Sequence, residues 1–178
     1  MQGGDMKKRK KITDKRVRCG AALLAAVMLV STFAGCGSKA KEKNLAGTSE
    51  EILNKVYETA ELGTDFESAM ENFQTTPIDE TMEEYILGTD QVDYTDAVCS
   101  APMINVIAYQ CVVLRLAQGE DAAEAKQLLL DNADPRKWIC VEAESVVVES
   151  VGDVILYVMA DQETADAIKT SFLALGES

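Results

Sequence analysis

Residues 145–159, SVVVESVGDVILYVM, carry two β-branched and aromatic runs on either side of Ser150-Val151-Gly152-Asp153. Val, Ile and Tyr suit the pleated, half-buried setting of a strand, and Gly beside Asp supplies the positive φ of a tight hairpin. The stretch predicts an extended segment over 145–149, a turn over 150–153 and a returning strand over 154–159. Strands joined this way are antiparallel, which sets the fold apart from the doubly wound class.

Working upstream, residues 104–117 (INVIAYQCVVLRLA) are polar only at Asn105, Gln110 and Arg115, and read as a central strand. Gly119-Glu120-Asp121 turns the chain into a helix over 122–132 with Ala125, Leu128 and Leu129 on its buried stripe, and 138–141 reads as a further extended segment. Downstream, Asp161 caps a helix over 162–175 that buries Ala165, Ile168, Phe172 and Leu175. The order from residue 104 is β-α-β-β-α.

The preceding third reads as helical. Thr48 with Glu51 three residues on fits a capping box, and Ile52, Leu53, Val56, Tyr57 and Ala60 recur at helical spacing before Gly63. Residues 66–73 and 79–87 read as two short helices separated by Pro77, the second with Met82, Tyr85 and Ile86 inward. The expected class is α+β, with a small, partly antiparallel sheet and its helices on one face, forming one domain over 48–178.

Charge divides the chain unevenly. Residues 1–35 carry eight Lys/Arg against two Asp, net +6, whereas residues 36–178 carry nine basic against 28 acidic groups, net −19. Binding to nucleic acid depends on neutralising phosphates with cations, so no nucleic-acid partner is expected. The same charge repels anionic lipid, which leaves membrane attachment to the N-terminus.

That terminus has a basic segment over 7–18, then sixteen uncharged, mostly apolar residues over 20–35, then Cys36. Sixteen falls short of the roughly 17–25 that a spanning helix needs and suits the apolar core of a signal. Phe33-Ala34-Gly35-Cys36 and the small, charged residues after it resemble bacterial lipoprotein signal peptides over 7–38, with Phe33 where Leu is usual. The resemblance implies cleavage of 1–35, a diacylglyceryl group on the Cys36 sulfur and display on the extracytoplasmic face of the cell membrane. Residues 36–47 then form the lipidated cysteine and a flexible tether, and Met6 offers an alternative start. Two acyl chains, at ~0.8 kcal/mol per buried methylene, anchor stably; no other cofactor is expected. The segments APM (101–103) and GDVILYVM (152–159), with the helices around them, resemble an uncharacterised lipoprotein domain of anaerobic Gram-positive bacteria over about 48–175. Its matching motifs are packing motifs, and no activity comes with them.

Chemistry is sparse. The chain has no histidine, which removes Ser-His-Asp and Cys-His nucleophiles and nearly all catalytic zinc sites. Arg136-Lys137-Trp138 pairs two cations with the only Trp, a combination enriched at recognition surfaces, and is the candidate partner-binding site. The plainer reading makes Asp134-Pro135 a tight turn and Trp138 a plug at the core's edge. Asp90, Asp93 and Asp96 recur every third residue and are weak candidates for calcium, although EF-hand ligands alternate and that loop requires a Gly absent here; a solvated loop is the plainer reading. After Cys36 the cysteines are Cys99, Cys111 and Cys140. Cys111 and Cys140 sit in apolar runs and read as small buried hydrophobes, whereas Cys99 in a polar, loop-like stretch is the best nucleophile for a rival enzymatic reading. The leading expectation is a non-enzymatic binding module for an envelope protein or ligand; the alternatives are a small carboxylate or thiol enzyme, or a calcium-dependent adhesion module.

Overall fold

The computed structural model describes residues 44–104 and 107–177; the expected signal segment, Cys36 and the expected tether up to residue 43 lie outside the described residues. The elements run α1 (Ser49–Thr59), α2 (Thr64–Met70), β1 (Phe73–Pro77), α3 (Glu83–Leu87), β2 (Tyr94–Pro102), β3 (Gln110–Leu116), α4 (Ala122–Asp131), β4 (Ser145–Val151), β5 (Val154–Ala160) and α5 (Gln162–Leu175). One five-stranded sheet has the order β1-β2-β3-β5-β4, and all neighbours are antiparallel. The fold is α+β.

The helices start where side chains satisfy their first amides. Thr48 Oγ1 accepts from Glu51 N at 3.2 Å while Glu51 Oε2 accepts from Thr48 N at 3.0 Å. Asp121 Oδ1 accepts from Ala123 N and Glu124 N at 2.8 and 3.1 Å, and Asp161 Oδ1 accepts from Thr164 N at 2.9 Å. Beyond each cap the apolar spacing turns one stripe inward: Ile52, Leu53 and Val56 on α1, Ala125 and Leu129 on α4, Ala165, Ile168 and Phe172 on α5. Gly88 ends α3 with φ 79°, and a Cβ there would stand 2.1 Å from the Asn132 carbonyl oxygen.

Strands β3 and β5 run through the middle of the sheet and are apolar on both sides. Cys111, Val113, Leu156 and Val158 face α1 and α5, while Val112, Leu114, Ile155 and Tyr157 face α3 and α4. Fully burying a Val, Leu or Ile side chain contributes roughly 1.5–3 kcal/mol, and these two strands concentrate that contribution. Two expectations are corrected here. The sheet is antiparallel throughout and not only in part, and the helices cover both faces and not one.

The N-terminal third also holds two strands that its sequence conceals. Residues 66–73 do not form one helix: α2 ends at Met70, and Phe73 opens β1. Asp96 falls inside β2, whose register shifts between Tyr94 and Asp96. The extra residue of such a bulge re-aims its neighbours; here Asp96 Oδ2 accepts from Ser49 N at 2.6 Å and Asp96 O accepts from Ser49 Oγ at 3.1 Å. The predicted strand over 104–117 is shorter, starting at Gln110, and 138–141 is loop. Helix α3 starts only at Glu83 and turns Met82 and Tyr85 outward, burying Ile86 and Leu87.

Both sheet margins are closed chemically. β1 is five residues long and ends in Pro77, which has no amide to offer a further strand. On β4, Glu149 receives Lys126 of α4 at 2.8 Å and Lys169 of α5 at 3.1 Å, so a lysine reaches the margin from each face. Burial works against the Glu149 charge, but the two ammonium groups hold its pKa below the usual carboxylate value.

Candidate functional site

The two ends of the sheet differ in character. At one end lie the β4–β5 turn, with Gly152 at φ 60°, and the end of β3. The chain arrives there: Asn44 sits so near Gly152 that a Cβ on the glycine would stand 2.9 Å from Asn44 Cα. Arg115 donates Nη2 to the carbonyls of Leu45 and Gly47, both at 2.9 Å, so the last residues of the expected tether are held and not loose.

At the other end, where β2 finishes, β3 begins and β5 passes into α5, a groove of about 620 Å³ opens. Four segments far apart in sequence build it. Residues 61–69 supply Glu61, Leu62, Asp65 and Phe66; the approach to β3 supplies Ile107 and Tyr109; the approach to β4 supplies Val141, Glu142 and Glu144; the start of α5 supplies Asp161 and Glu163. Beneath it lies an aromatic cluster in which the Phe66 and Phe73 rings each lie 4.9 Å from Tyr109 and 5.6 Å from one another. Tyr109 is buried, and its hydroxyl meets that of Tyr57 at 2.7 Å. Burial pushes both phenols well above their ordinary pKa, so the base of the groove stays neutral.

The rim is strongly anionic. Six carboxylates line the groove, and among the described residues its lining includes no Lys or Arg. Asp161 caps α5, and Glu144 Oε2 accepts from Gln162 N at 3.4 Å, so the positive end of that helix is already answered. Glu142 has Arg136 at 3.7 Å across an exposed pair that water screens. Around the same end Met103, Ile104 and Ile139 stand 64 %, 71 % and 98 % exposed.

The sequence-derived candidates fare differently. Arg136, Lys137 and Trp138 do not form one patch. Trp138 is 6 % exposed and belongs to the core beneath α3 and α4; Arg136 is exposed. Lys137 turns inward, donating to Tyr85 O at 3.0 Å and to Gln110 Oε1, with its ammonium 4.8 Å from the Tyr85 ring centre. Desolvation lowers the Lys137 pKa to about 8, against the opposing pull of Cys99 and Asp134. Trp138 thus sits at the core's edge with the Lys137 ammonium 5.5 Å from its ring centre, and of the three only Arg136 stands exposed.

Asp90, Asp93 and Asp96 are likewise not gathered. Asp90 and Asp93 line a shallow hollow near Asp79 and Glu83, while Asp96 is engaged by Ser49. Among the described residues no cluster of three or more His, Cys, Asp or Glu is placed to hold a metal ion.

All three thiols among the described residues are free. Cys99 is buried in β2 and not in a loop, and burial pushes its pKa up to about 11, with Lys137 offsetting only part. Since the thiolate is the nucleophile, this corrects its candidacy as an enzymatic nucleophile. Cys111 is buried as expected and pushed up to about 12; Cys140 is exposed, against expectation.

Sequence reading missed the groove because each carboxylate, taken alone, reads as a solvated helix start. Among the described residues no helix is long and apolar enough to cross a membrane. Comparison of the chain with protein-family models, curated proteins and solved structures finds no match.

Proposed function

We propose that this protein is a lipid-anchored extracytoplasmic binding protein, not an enzyme, whose ligand site is the groove between α2 and the start of α5. The observation that carries the reading is the opposition of the two sheet ends. The chain comes in at Asn44–Gly47 beside the hairpin turn, and the groove lies across the length of the strands. Seven residues of β5 separate the ends, roughly 20 Å at strand rise. The point where the chain enters the domain and the groove thus lie at opposite ends of the strands.

The signal-like N-terminus supports the address, and the neutral aromatic base under an open hollow supports binding over catalysis. Ligand sites are typically concave and about 300–1,000 Å³; the groove matches in size, with an apolar base at Leu62, Phe66, Ile107 and Val141 but an anionic rim.

The test uses the protein in a Gram-positive host. Mass spectrometry is expected to find residues 1–35 removed and diacylglycerol on Cys36. A membrane-impermeant maleimide is expected to label the exposed Cys140 on intact cells, and Cys36→Ser to release the protein from the membrane fraction. A retained leader, an unmodified Cys36 and no labelling without lysis would overturn the proposal.

A further inference from the structure

We propose that the hollow beneath α3 is a second ligand site, where Lys137 captures a small uncharged aldehyde as an imine and Tyr157 holds the carbonyl oxygen. The hollow shares no lining residue with the groove, so the two sites stand or fall separately.

The register of the sheet brings the two side chains together. Gln110 of β3 pairs with Met159 of β5, and Tyr157 lies two residues along on the same face. Such diagonal neighbours stand roughly 7–8 Å apart, within reach of long side chains. Gln110 Oε1 accepts from Lys137 Nζ, which brings the amine to the row that carries Tyr157. Both line one hollow of about 190 Å³. Exposed Glu84, Asn132 and Asp134 form its mouth, and buried Tyr157 and Met159 its floor. The Asp134 charge acts on Lys137 and on Tyr157 alike.

Each partner is held in a way that leaves it available. Lys137 donates to two uncharged acceptors, Tyr85 O at 3.0 Å and Gln110 Oε1, and among the described residues makes no ion pair. Lys126 and Lys169, by contrast, both meet Glu149, and Lys55 is exposed. Desolvation lowers the Lys137 pKa to about 8. Roughly a quarter of it is then neutral at pH 7.5, against about one part in a thousand of an ordinary lysine. Tyr157 is 1 % exposed, and among the described residues its hydroxyl is met by the Met159 thioether at 3.6 Å. Sulfur is a weak acceptor, and burial pushes the phenol's pKa upward. A protonated O–H therefore waits for a stronger acceptor such as a carbonyl oxygen.

Size and charge select the guest. A volume of 190 Å³ equals that of roughly six liquid waters, room for a few carbons. Carboxylates at the mouth turn anions away.

The step balances without an oxidant. The Nζ lone pair forms a bond to the carbonyl carbon while the C=O π pair moves onto the oxygen, beside the Tyr157 O–H. One Nζ proton passes to that oxygen, carried by Asp134 or a water at the mouth, and gives a carbinolamine. The oxygen then leaves as water with the second Nζ proton, and C=N forms. Once protonated, the imine keeps its charge where the ammonium now lies, 4.8 Å from the Tyr85 ring centre and 5.5 Å from that of Trp138.

The experiment treats the detergent-solubilised full chain at pH 7.5 with propionaldehyde and cyanoborohydride, and follows the propyl adducts by peptide mass spectrometry. Lys137 is expected to react at least tenfold faster than Lys55, Lys126 or Lys169. Anionic glyoxylate and bulky 1-naphthaldehyde are each expected to lose that preference. Tyr157→Phe is expected to slow Lys137 at least fivefold and to leave the other three lysines within twofold.

Reaction at Lys137 no faster than at Lys55 would overturn the proposal. An equal preference with all three aldehydes would reduce the effect to one reactive amine and overturn the hollow as a site. A Tyr157→Phe variant that melts cooperatively and keeps the wild-type rate would do the same. Should that variant fail to fold, the three aldehydes compared on the wild type decide the matter alone.

Discussion

Arg115 Nη1 stands 2.6 Å from Asp153 Oδ1, and through its Nη2 the same guanidinium joins the end of β3 and the β4–β5 turn to the incoming chain at Leu45 and Gly47. The ion pair is partly shielded from water, and three bonds converge on one planar group that lysine cannot reproduce.

Arg115→Ala is expected to destabilise the domain by about 2 kcal/mol, since hydrogen bonds to a charged group contribute roughly 1.5–3 kcal/mol before screening. Urea unfolding reads the loss. Limited proteolysis ahead of Ser49 should accelerate in the variant, and Arg115→Lys should recover only part of the protection.

Two glycines offer a matched contrast. Gly88 has φ 79° and its would-be Cβ lies 2.1 Å from Asn132 O, whereas Gly63, at φ −69°, has nothing within 4 Å. Gly88→Ala is expected to cost about 2 kcal/mol or more, combining left-handed strain with a backbone clash. Gly63→Ala should stay within roughly 0.5 kcal/mol. Thermal unfolding of the two variants checks the ordering.

Thiol labelling should separate the cysteines cleanly. Cys140 is exposed, while Cys99 and Cys111 are buried with pKa values raised to about 11 and about 12. At pH 7.5 one of these three should react within minutes and the other two only after denaturant. Rapid modification of Cys99 in the folded protein would restore the thiol-enzyme reading.

Lys137 makes stability depend on pH with a defined sign. Its pKa is lowered from 10.5 to about 8 in the folded protein, so between these values the unfolded chain binds more protons and stability rises with pH. Below pH 8 both states carry the charge and the burial penalty is constant. The raised Cys99 pKa acts oppositely above pH 9, so the comparison is with Lys137→Met, which retains that thiol. Relative to the variant, the wild type should gain in melting temperature from pH 8 to 9.5; a flat difference would contradict the assignment.

The parts of the fold legible in the sequence were those with local signatures. Thr48 and Asp161 announced two helices through their own caps, the Gly119-Glu120-Asp121 turn announced a third, and Gly152 announced the hairpin. β2 stayed hidden because Ala97, Cys99, Ser100 and Ala101 are small and it is covered on both faces, so neither bulk nor polar alternation marks it. Trp138 drew attention as a rare aromatic beside cations, yet it and Lys137, whose ammonium lies 5.5 Å from the indole centre, turn inward while Arg136 alone stays exposed. The groove had no local signature, since residues 61–69 and 161–164 meet only after the sheet has ordered them.

The lysines that reach Glu149 from opposite faces bear on crowding. Molecules confined to a leaflet collide at far higher effective concentration than in solution, and an unguarded seven-residue β-branched border would let one copy template the next into a filament. With two cations and an anion fixed along that border, adjacent copies meet charge where they would need bare amides. On the proposed anchor, the protein can be dense at the surface and still remain a population of separate molecules.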